Sequence, residues 1–332
     1  MALLARSHTA HVGIPAISYA LPAGARSVRE LAAAGALESK PEMLERFGFQ
    51  TVSVADDDET PYALGLSAAQ ALLRDHDIDP SSVDALIYGG APGALAFVAS
   101  RRAPDAVRAL CDARRFHYPA TRLQSDLGLV HATVIGIDQL ACTSLFGAVR
   151  IARALCVTEG LRRVLCVCSE FYPSQAGREA ITNCTSDAAC VLLVERDATR
   201  NHVVGAASVT KGFFWDGSAS AMRDEVIASY FPTAVHVIHE VLRDAGWSAD
   251  DVTWVMPHNV SATSWEILFR LSRLPNARLW DDNIARIGHT LAGDNFINLR
   301  DATDRADVRA GDKVVLFSYG YGAHWTALAV EA

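Results

Sequence analysis

Apolar residues fall along the chain in two alternating rhythms. Short runs rich in valine, leucine and cysteine, such as "RRVLCVCSE" (162–170), "DAACVLLVE" (187–195), "DKVVLFSYG" (312–320) and "WTALAVE" (325–331), predict buried strands. Longer segments, such as "CTSLFGAVRIARALC" (142–156) and "NVSATSWEILFRL" (259–271), carry apolar positions at helical spacing. Strands alternating with amphipathic helices predict a layered α/β fold.

The pattern recurs. "LLRDHDIDPSSVDALIY" (72–88) resembles "VLRDAGWSADDVTWVMP" (241–257) without a gap, with Arg74 and Asp75 answering Arg243 and Asp244, and Val83 answering Val252. Each copy reads as the end of a helix, a polar turn and a buried strand. The copies lie about half the chain apart, which points to duplication. "FYPSQ" (171–175) breaks the pattern, so the expected halves are 1–173 and 174–332. The stretch 99–115, "ASRRAPDAVRALCDARR", has no counterpart and is expected to form an inserted helical region.

Composition narrows the partners. A net charge of −8 argues against a nucleic-acid backbone, which needs a basic face. No apolar stretch looks long enough to cross a bilayer, and "MALLARSHTAHVG" lacks the long apolar region of a secretory signal, so a cytoplasmic protein is expected. The seven cysteines are odd in number and show no disulfide framework; Cys166 and Cys168 alternate within a strand and do not form a C-x-x-C pair. No phosphate-binding glycine loop of either common type is present, and "GGAPGA" (89–94) is explained by a tight strand-to-helix turn. His236 and His239 lack a further ligand at metal spacing, so no metal site is expected.

Candidate chemistry begins at Cys142, between the apolar run that ends near it and the helix that follows. A helix starting there would aim free N–H groups and its positive end at the sulfur, favouring the thiolate and offering donors to an oxyanion. A buried structural cysteine is the alternative, as for Cys156, Cys166, Cys168 and Cys190. A reactive thiolate needs polar partners from elsewhere in the fold. His258 closes the strand "VTWVMPH" where a helix opens, and His289 lies in "IARIGHTLAGDNFINL" between an apolar run and another helix. Histidines at strand carboxyl ends face the edge where α/β sites form.

At these segments the sequence resembles the β-ketoacyl-acyl-carrier-protein synthase III group of the thiolase superfamily. "DQLACTSLFGAVRIA" is similar to that family's nucleophile segment, "WVMPHNVSA" to its V-P-H-Q-A-N motif, and "IGHTLAGDNFINL" to its G-N-T-S-A-A-S motif. "GDKVVLFSYGYGAHWTALAV" is similar to its glycine-rich C-terminal strand, and "ERFGFQTVSVADDDETPYALGLSAAQALL" to its early R-T-G-I segment and following helix. The resemblance implies a thiolase-like α-β-α-β-α sandwich of two pseudo-equivalent halves, assembled as a homodimer. It implies that Cys142 takes an acyl group from a coenzyme A or carrier-protein thioester, and that His258 polarises the second substrate's carbonyl. The backbone N–H groups of Cys142 and Tyr321 would form the oxyanion hole, and Arg46 would face the carrier or coenzyme. No permanently bound cofactor is implied; the coenzyme A and phosphopantetheine thioesters are substrates.

Departures from the family pattern bear on the reaction. His289 stands in place of the family's asparagine, and the G-G-G loop of the C-terminal strand has become Gly320, Tyr321 and Gly322. Val260 and Ser261 replace Ala-Asn, and Thr263 replaces a basic residue. Glu42 stands where a tryptophan would stack on coenzyme A. These changes point to a specialised acyl enzyme, of polyketide or fatty-acid-like biosynthesis, rather than fatty-acid initiation. The expected reaction is decarboxylative condensation of an acyl-Cys142 with a malonyl-type thioester. The alternative is simple acyl transfer from Cys142 to a hydroxyl, amine or carrier thiol, with one histidine as general base.

Overall fold

The computed structural model describes residues 11–90, 118–172, 177–214 and 220–332. The region 99–115 and most of "GGAPGA" lie outside the described residues. Ten strands form the principal sheet: β1 (Val12–Ala20), β2 (Ala85–Gly89), β3 (Thr133–Ile137), β4 (Arg163–Glu170), β5 (Ala188–Arg196), β6 (His202–Thr210), β7 (Trp254–Met256), β8 (Arg278–Leu279), β9 (Lys313–Gly320) and β10 (His324–Glu331). Their spatial order is β8-β7-β9-β10-β6-β1-β5-β4-β2-β3. Read outward from the β1/β6 junction, the two sides repeat one another in strand direction: β2 and β7 pair in parallel with both neighbours, while β4/β5 and β9/β10 are antiparallel. The sides meet through a single register pair, Gly13 with His202.

This order expresses the duplication in three dimensions. The 72–88 and 241–257 copies both run from a helix end through a 3₁₀ turn (Pro80–Ser82; Ala249–Asp251) into a buried strand, with Val83 and Val252 wholly enclosed. The expected break at 173/174 falls in sequence between β4 and β5. The strand Ala188–Arg196 completes the first set of five, so the repeat turns over after Arg196. Three residues of the "FYPSQ" break, 173–175, lie outside the described residues.

Helices α1 (Pro61–Asp75) and α2 (Pro119–Asp126) cover the outer face of the first five strands; α3 (Ser144–Thr158) lies between the two sets. Helices α4 (Ser220–Ala245) and α5 (Ala262–Ser272) cover the outer face of the second five. The short α6 (Asp282–Ile287) leads toward α7 (Asp294–Asp304), which shares the central layer with α3. Strand alternation sorts the side chains: Cys166 and Cys168 face the central helices while Leu165 and Val167 face α1. Three apolar cores therefore correspond to three helical layers, and the architecture is the thiolase-like five-layer sandwich.

The helical run Ala141–Thr158 corrects one expectation, because it has the length and apolar composition of a bilayer-crossing helix. Its place in the fold gives the reason for that composition. Leu145, Phe146, Ala148, Val149 and Ala152 are enclosed between the two five-stranded sides of the sheet, so this helix meets apolar neighbours on more of its circumference than a surface helix does. The six cysteines among the described residues are buried and unbridged.

Candidate active site

The two central helices begin alike. A 3₁₀ turn, Ala141–Thr143, runs into α3, and a second, Leu291–Gly293, runs into α7; the duplication sets these turns against each other. Cys142 lies in the first turn, 5% exposed, after Ala141, whose φ is +45°. The α-helix itself starts at Ser144, so the sulfur lies at the positive helix end, as expected. Gly320 of β9 packs on this turn: a Cβ there would lie 2.6 Å from the Leu140 carbonyl and 3.3 Å from the Cys142 nitrogen. A side chain at 320 would push the nucleophile turn out of place.

His289 stands just before the second turn. The apolar run preceding it is helix α6 rather than a strand, and the reversal at Gly288 (φ +63°) delivers the ring to the site. The backbone there is clamped. His289 N–H donates to the Cys184 carbonyl (2.8 Å), Ser186 N–H to the His289 carbonyl (2.8 Å), and the Asn259 amide to the Gly288 carbonyl (2.9 Å). His258 follows β7 as expected. Asn295 holds the Met256 carbonyl (2.9 Å), Asn298 the Pro257 carbonyl (2.9 Å), and the Trp265 indole N–H the His258 carbonyl (2.7 Å). Two turns of α7 thus carry buried amides that fix the strand end bearing His258.

The three sequence-predicted side chains converge. His289 Nε2 lies 3.6 Å from Cys142 Sγ, and the rings of His258 and His289 meet edge to face at a 4.5 Å centroid separation. Sequence reasoning missed the fourth member. Asp294, fully buried at the start of α7, accepts from His289 Nδ1 at 2.7 Å through Oδ2. The same oxygen accepts from Asn259 N–H (2.7 Å), and Oδ1 accepts from the Thr290 N–H (2.6 Å) and hydroxyl (2.7 Å). The signal was present: an acidic residue at a helix start, five positions after a candidate base.

Charge follows from these contacts. Burial by itself would keep His289 neutral, but the charge and hydrogen bond of Asp294, with Cys142, together outweigh it and push the ring up to about 10. Asp294 is held below the usual carboxylate range, its burial being outweighed chiefly by His289. His258 goes the other way: burial, then the neighbouring His289 charge, takes it down to about 3. Its Nε2 is 3.6 Å from Asp294, at ion-pair distance but beyond a hydrogen bond, and the neutral ring makes this a dipolar contact. Neither ring nitrogen of His258 has a hydrogen-bond partner among the described residues.

A cavity of about 290 Å³ opens onto Cys142, His258 and His289. Tyr230, Phe231, Tyr319 and Tyr321 supply aromatic walls, and no lysine or arginine lines it among the described residues. Burial pushes the Tyr319 hydroxyl up to about 12, so it enters chemistry only as a neutral phenol. Tyr321 sits in the turn between β9 and β10, against the cavity. Arg46 is exposed at the end of the short helix Pro41–Arg46 and does not line the cavity.

Comparison with known proteins agrees with this architecture. Residues 242–332 match the family described as 3-oxoacyl-[acyl-carrier-protein] synthase III, C terminal. A curated β-ketoacyl-[acyl-carrier-protein] synthase III of Sphingopyxis alaskensis is 27% identical over 307 residues, covering 87% of this chain and 89% of the relative. The crystal structure of 3-oxoacyl-[acyl-carrier-protein] synthase III from Aquifex aeolicus superposes with a TM-score of 0.78 at 20% identity, covering 97% of this chain and all of that one (100%). ChlB3, described as an acyltransferase, superposes with a TM-score of 0.79 at 19% identity, covering 96% of this chain and 97% of its own. The last two likenesses establish the fold.

Proposed function

We propose that this β-ketoacyl-acyl-carrier-protein synthase III-like chain is an acyltransferase that carries an acyl group on Cys142 from a coenzyme A or carrier-protein thioester to a hydroxyl, amine or carrier thiol. The observation that carries the reading is the ordered relay Cys142–His289–Asp294, with separations of 3.6 and 2.7 Å. A nucleophile, a base and an anion that orients the base are the parts needed for acyl transfer through a covalent intermediate.

The steps follow from the atoms. The imidazolium Nε2–H of His289 faces Sγ, and the Cys142 thiolate attacks the thioester carbonyl. The departing carrier thiolate takes the Nε2 proton, leaving acyl-Cys142 and neutral His289. The acyl-cysteine no longer carries the sulfur charge that helped to hold that proton, so the ring is now ready to act as base. It removes the acceptor's proton as the acceptor attacks, and the tetrahedral adduct collapses to expel the Cys142 thiolate. The Cys142 and Tyr321 N–H groups are assigned to the oxyanion, beside Gly320. His258, neutral and without a hydrogen-bond partner among the described residues, is assigned to donate to the carbonyl of the incoming substrate.

Decarboxylative condensation is the second reading, and the pairing of His258 beside His289 favours it, since two donors can share an enolate oxygen. Against it, a malonyl carboxylate would enter a cavity without a lining lysine or arginine among the described residues and close to the buried Asp294 carboxylate. In a low-dielectric site that repulsion is costly. The deciding experiment supplies malonyl and simple acyl thioesters and follows carbon dioxide together with intact-protein mass. The expected result is a stable acyl mass on the tryptic peptide containing Cys142, discharged by an alcohol, amine or thiol without carbon dioxide. Stoichiometric carbon dioxide with a carbon–carbon-bonded product would overturn the transfer reading.

The proposal extends to a symmetric homodimer. The edge strand β3 has no outer partner among the described residues, and its apolar Val134, Ile135 and Ile137 are only partly buried. Pairing with a second β3 across a two-fold axis would satisfy its backbone groups. Light scattering at micromolar concentration should give twice the chain mass; a monomer there refutes the dimer.

A further inference from the structure

We propose that Cys142, His258 and His289 together form a site for a thiophilic divalent cation, zinc above all, whose binding reversibly switches the nucleophile off. The donor atoms of these three buried residues lie within 4.8 Å of one another, with Sγ and the His289 nitrogen already 3.6 Å apart. One thiolate and two imidazoles around a tetrahedral zinc, with Zn–S about 2.3 Å and Zn–N about 2.1 Å, sit about 3.4 to 3.6 Å from each other. One pair therefore meets the requirement, and His258 has to close by about 1 Å.

His258 provides the independent observation. It is 3% exposed, and both ring nitrogens lack a hydrogen-bond partner among the described residues. A buried imidazole without partners has an unmet demand that a cation's coordination would satisfy. The surroundings suit a metal-bound state as well. His289 Nδ1 bonds the Asp294 carboxylate at 2.7 Å, which orients a ligating imidazole and raises its basicity. The cavity leaves a fourth position open to water. Thiolate with imidazole selects soft or borderline cations over magnesium or calcium.

No local pattern hints at such a site, because its three ligands come from separate segments of the chain and none stands at short metal-ligand spacing from another. Coordination leaves the sulfur lone pair unable to attack a thioester, so the cation competes with acylation. Coordination displaces the His289 Nε2 proton to solvent, while no bond to carbon changes and no electron moves; removing the metal lets that proton return and restores the thiolate beside the imidazolium.

Cobalt(II) titration of the purified protein tests this without reference to turnover. The expected result is one cobalt per chain, with four-coordinate visible absorption and a thiolate-to-cobalt band in the near ultraviolet, displaced by zinc. Cys142→Ser should lose the near-ultraviolet band, and His258→Asn, which removes a ligand itself, should weaken uptake by more than the roughly 10- to 100-fold of an outer-shell change. Wild-type protein alkylated or acylated at Cys142 should take up no cobalt, which covers the case in which Cys142→Ser fails to fold. Zinc should block acyl-Cys142 formation, and a chelator should restore it. Absence of stoichiometric uptake at micromolar metal overturns the site. A thiolate band that survives Cys142 blockage does so too, since it places the metal on another cysteine.

Discussion

Asp294→Asn should lower turnover by about 10³- to 10⁴-fold while leaving the fold assembled, the scale seen when a triad aspartate becomes an amide. The carboxylate does three things that an amide cannot do at once. It accepts from His289 Nδ1, fixing Nε2 toward the sulfur; it accepts from the Asn259 and Thr290 backbone; and it supplies the negative charge that stabilises the imidazolium. An asparagine must turn its NH₂ toward one of those donors. Burial, unopposed by a counter-charge, then favours the neutral ring.

The sign of the pH effect follows. Acylation needs the protonated His289, so the wild-type kcat/KM should hold on the alkaline side and fall as pH rises through about 10. In Asp294→Asn that limb moves down toward neutrality. Stability obeys the same linkage. A ring raised from 6.5 to about 10 in the folded state stabilises the fold fully below 6.5, and that contribution is lost as pH rises through about 10. The Tm difference between wild type and variant should therefore narrow at the alkaline end. A merely structural aspartate would lower Tm without moving the kinetic limb. An unchanged pH profile at wild-type turnover refutes the relay.

How much of the fold and the site is legible in the sequence depends on what kind of information each residue carries. Strand alternation marks Cys166 and Cys168 as core, and the helix start after Cys142 marks that cysteine as different, because both are local consequences of periodicity. The two histidines are legible as strand-end and helix-start residues, although the element before His289 is the helix Asp282–Ile287. Asp294 escapes notice, since its meaning depends on Gly288 reversing the chain and on Asn259 arriving from another segment. The grouping of strands into halves is hard to read from sequence for a similar reason. Which strand completes a sheet is a long-range pairing, such as β1 with β5, that no local pattern records. The unpartnered nitrogens of His258 are likewise a property of its enclosure, visible only when its neighbours are in place.

His289→Asn separates the two chemical readings most sharply. The substitution restores the residue of the resembled family's asparagine motif and keeps an N–H donor near the cavity. It removes the imidazole nitrogen that lies 3.6 Å from Sγ and could accept a proton there. In acyl transfer the acceptor must surrender a proton as it attacks acyl-Cys142, and an amide cannot take it. Turnover with a hydroxyl acceptor should fall by about 10²- to 10⁴-fold, the usual contribution of a positioned base. Acyl-enzyme formation should slow as well, because the proton that His289 gives to the departing thiolate is missing; acyl-enzyme formed beforehand with excess thioester should persist, which isolates the loss in discharge. In condensation the demand is different: an enolate oxygen needs donors, and the new side-chain amide together with neutral His258 would still provide two. That variant would then keep releasing carbon dioxide from malonyl thioester at a rate near that of the wild type. Retained discharge to an alcohol with His289→Asn would show that His289 is not the base, and carbon dioxide release surviving the substitution would transfer the assignment to condensation.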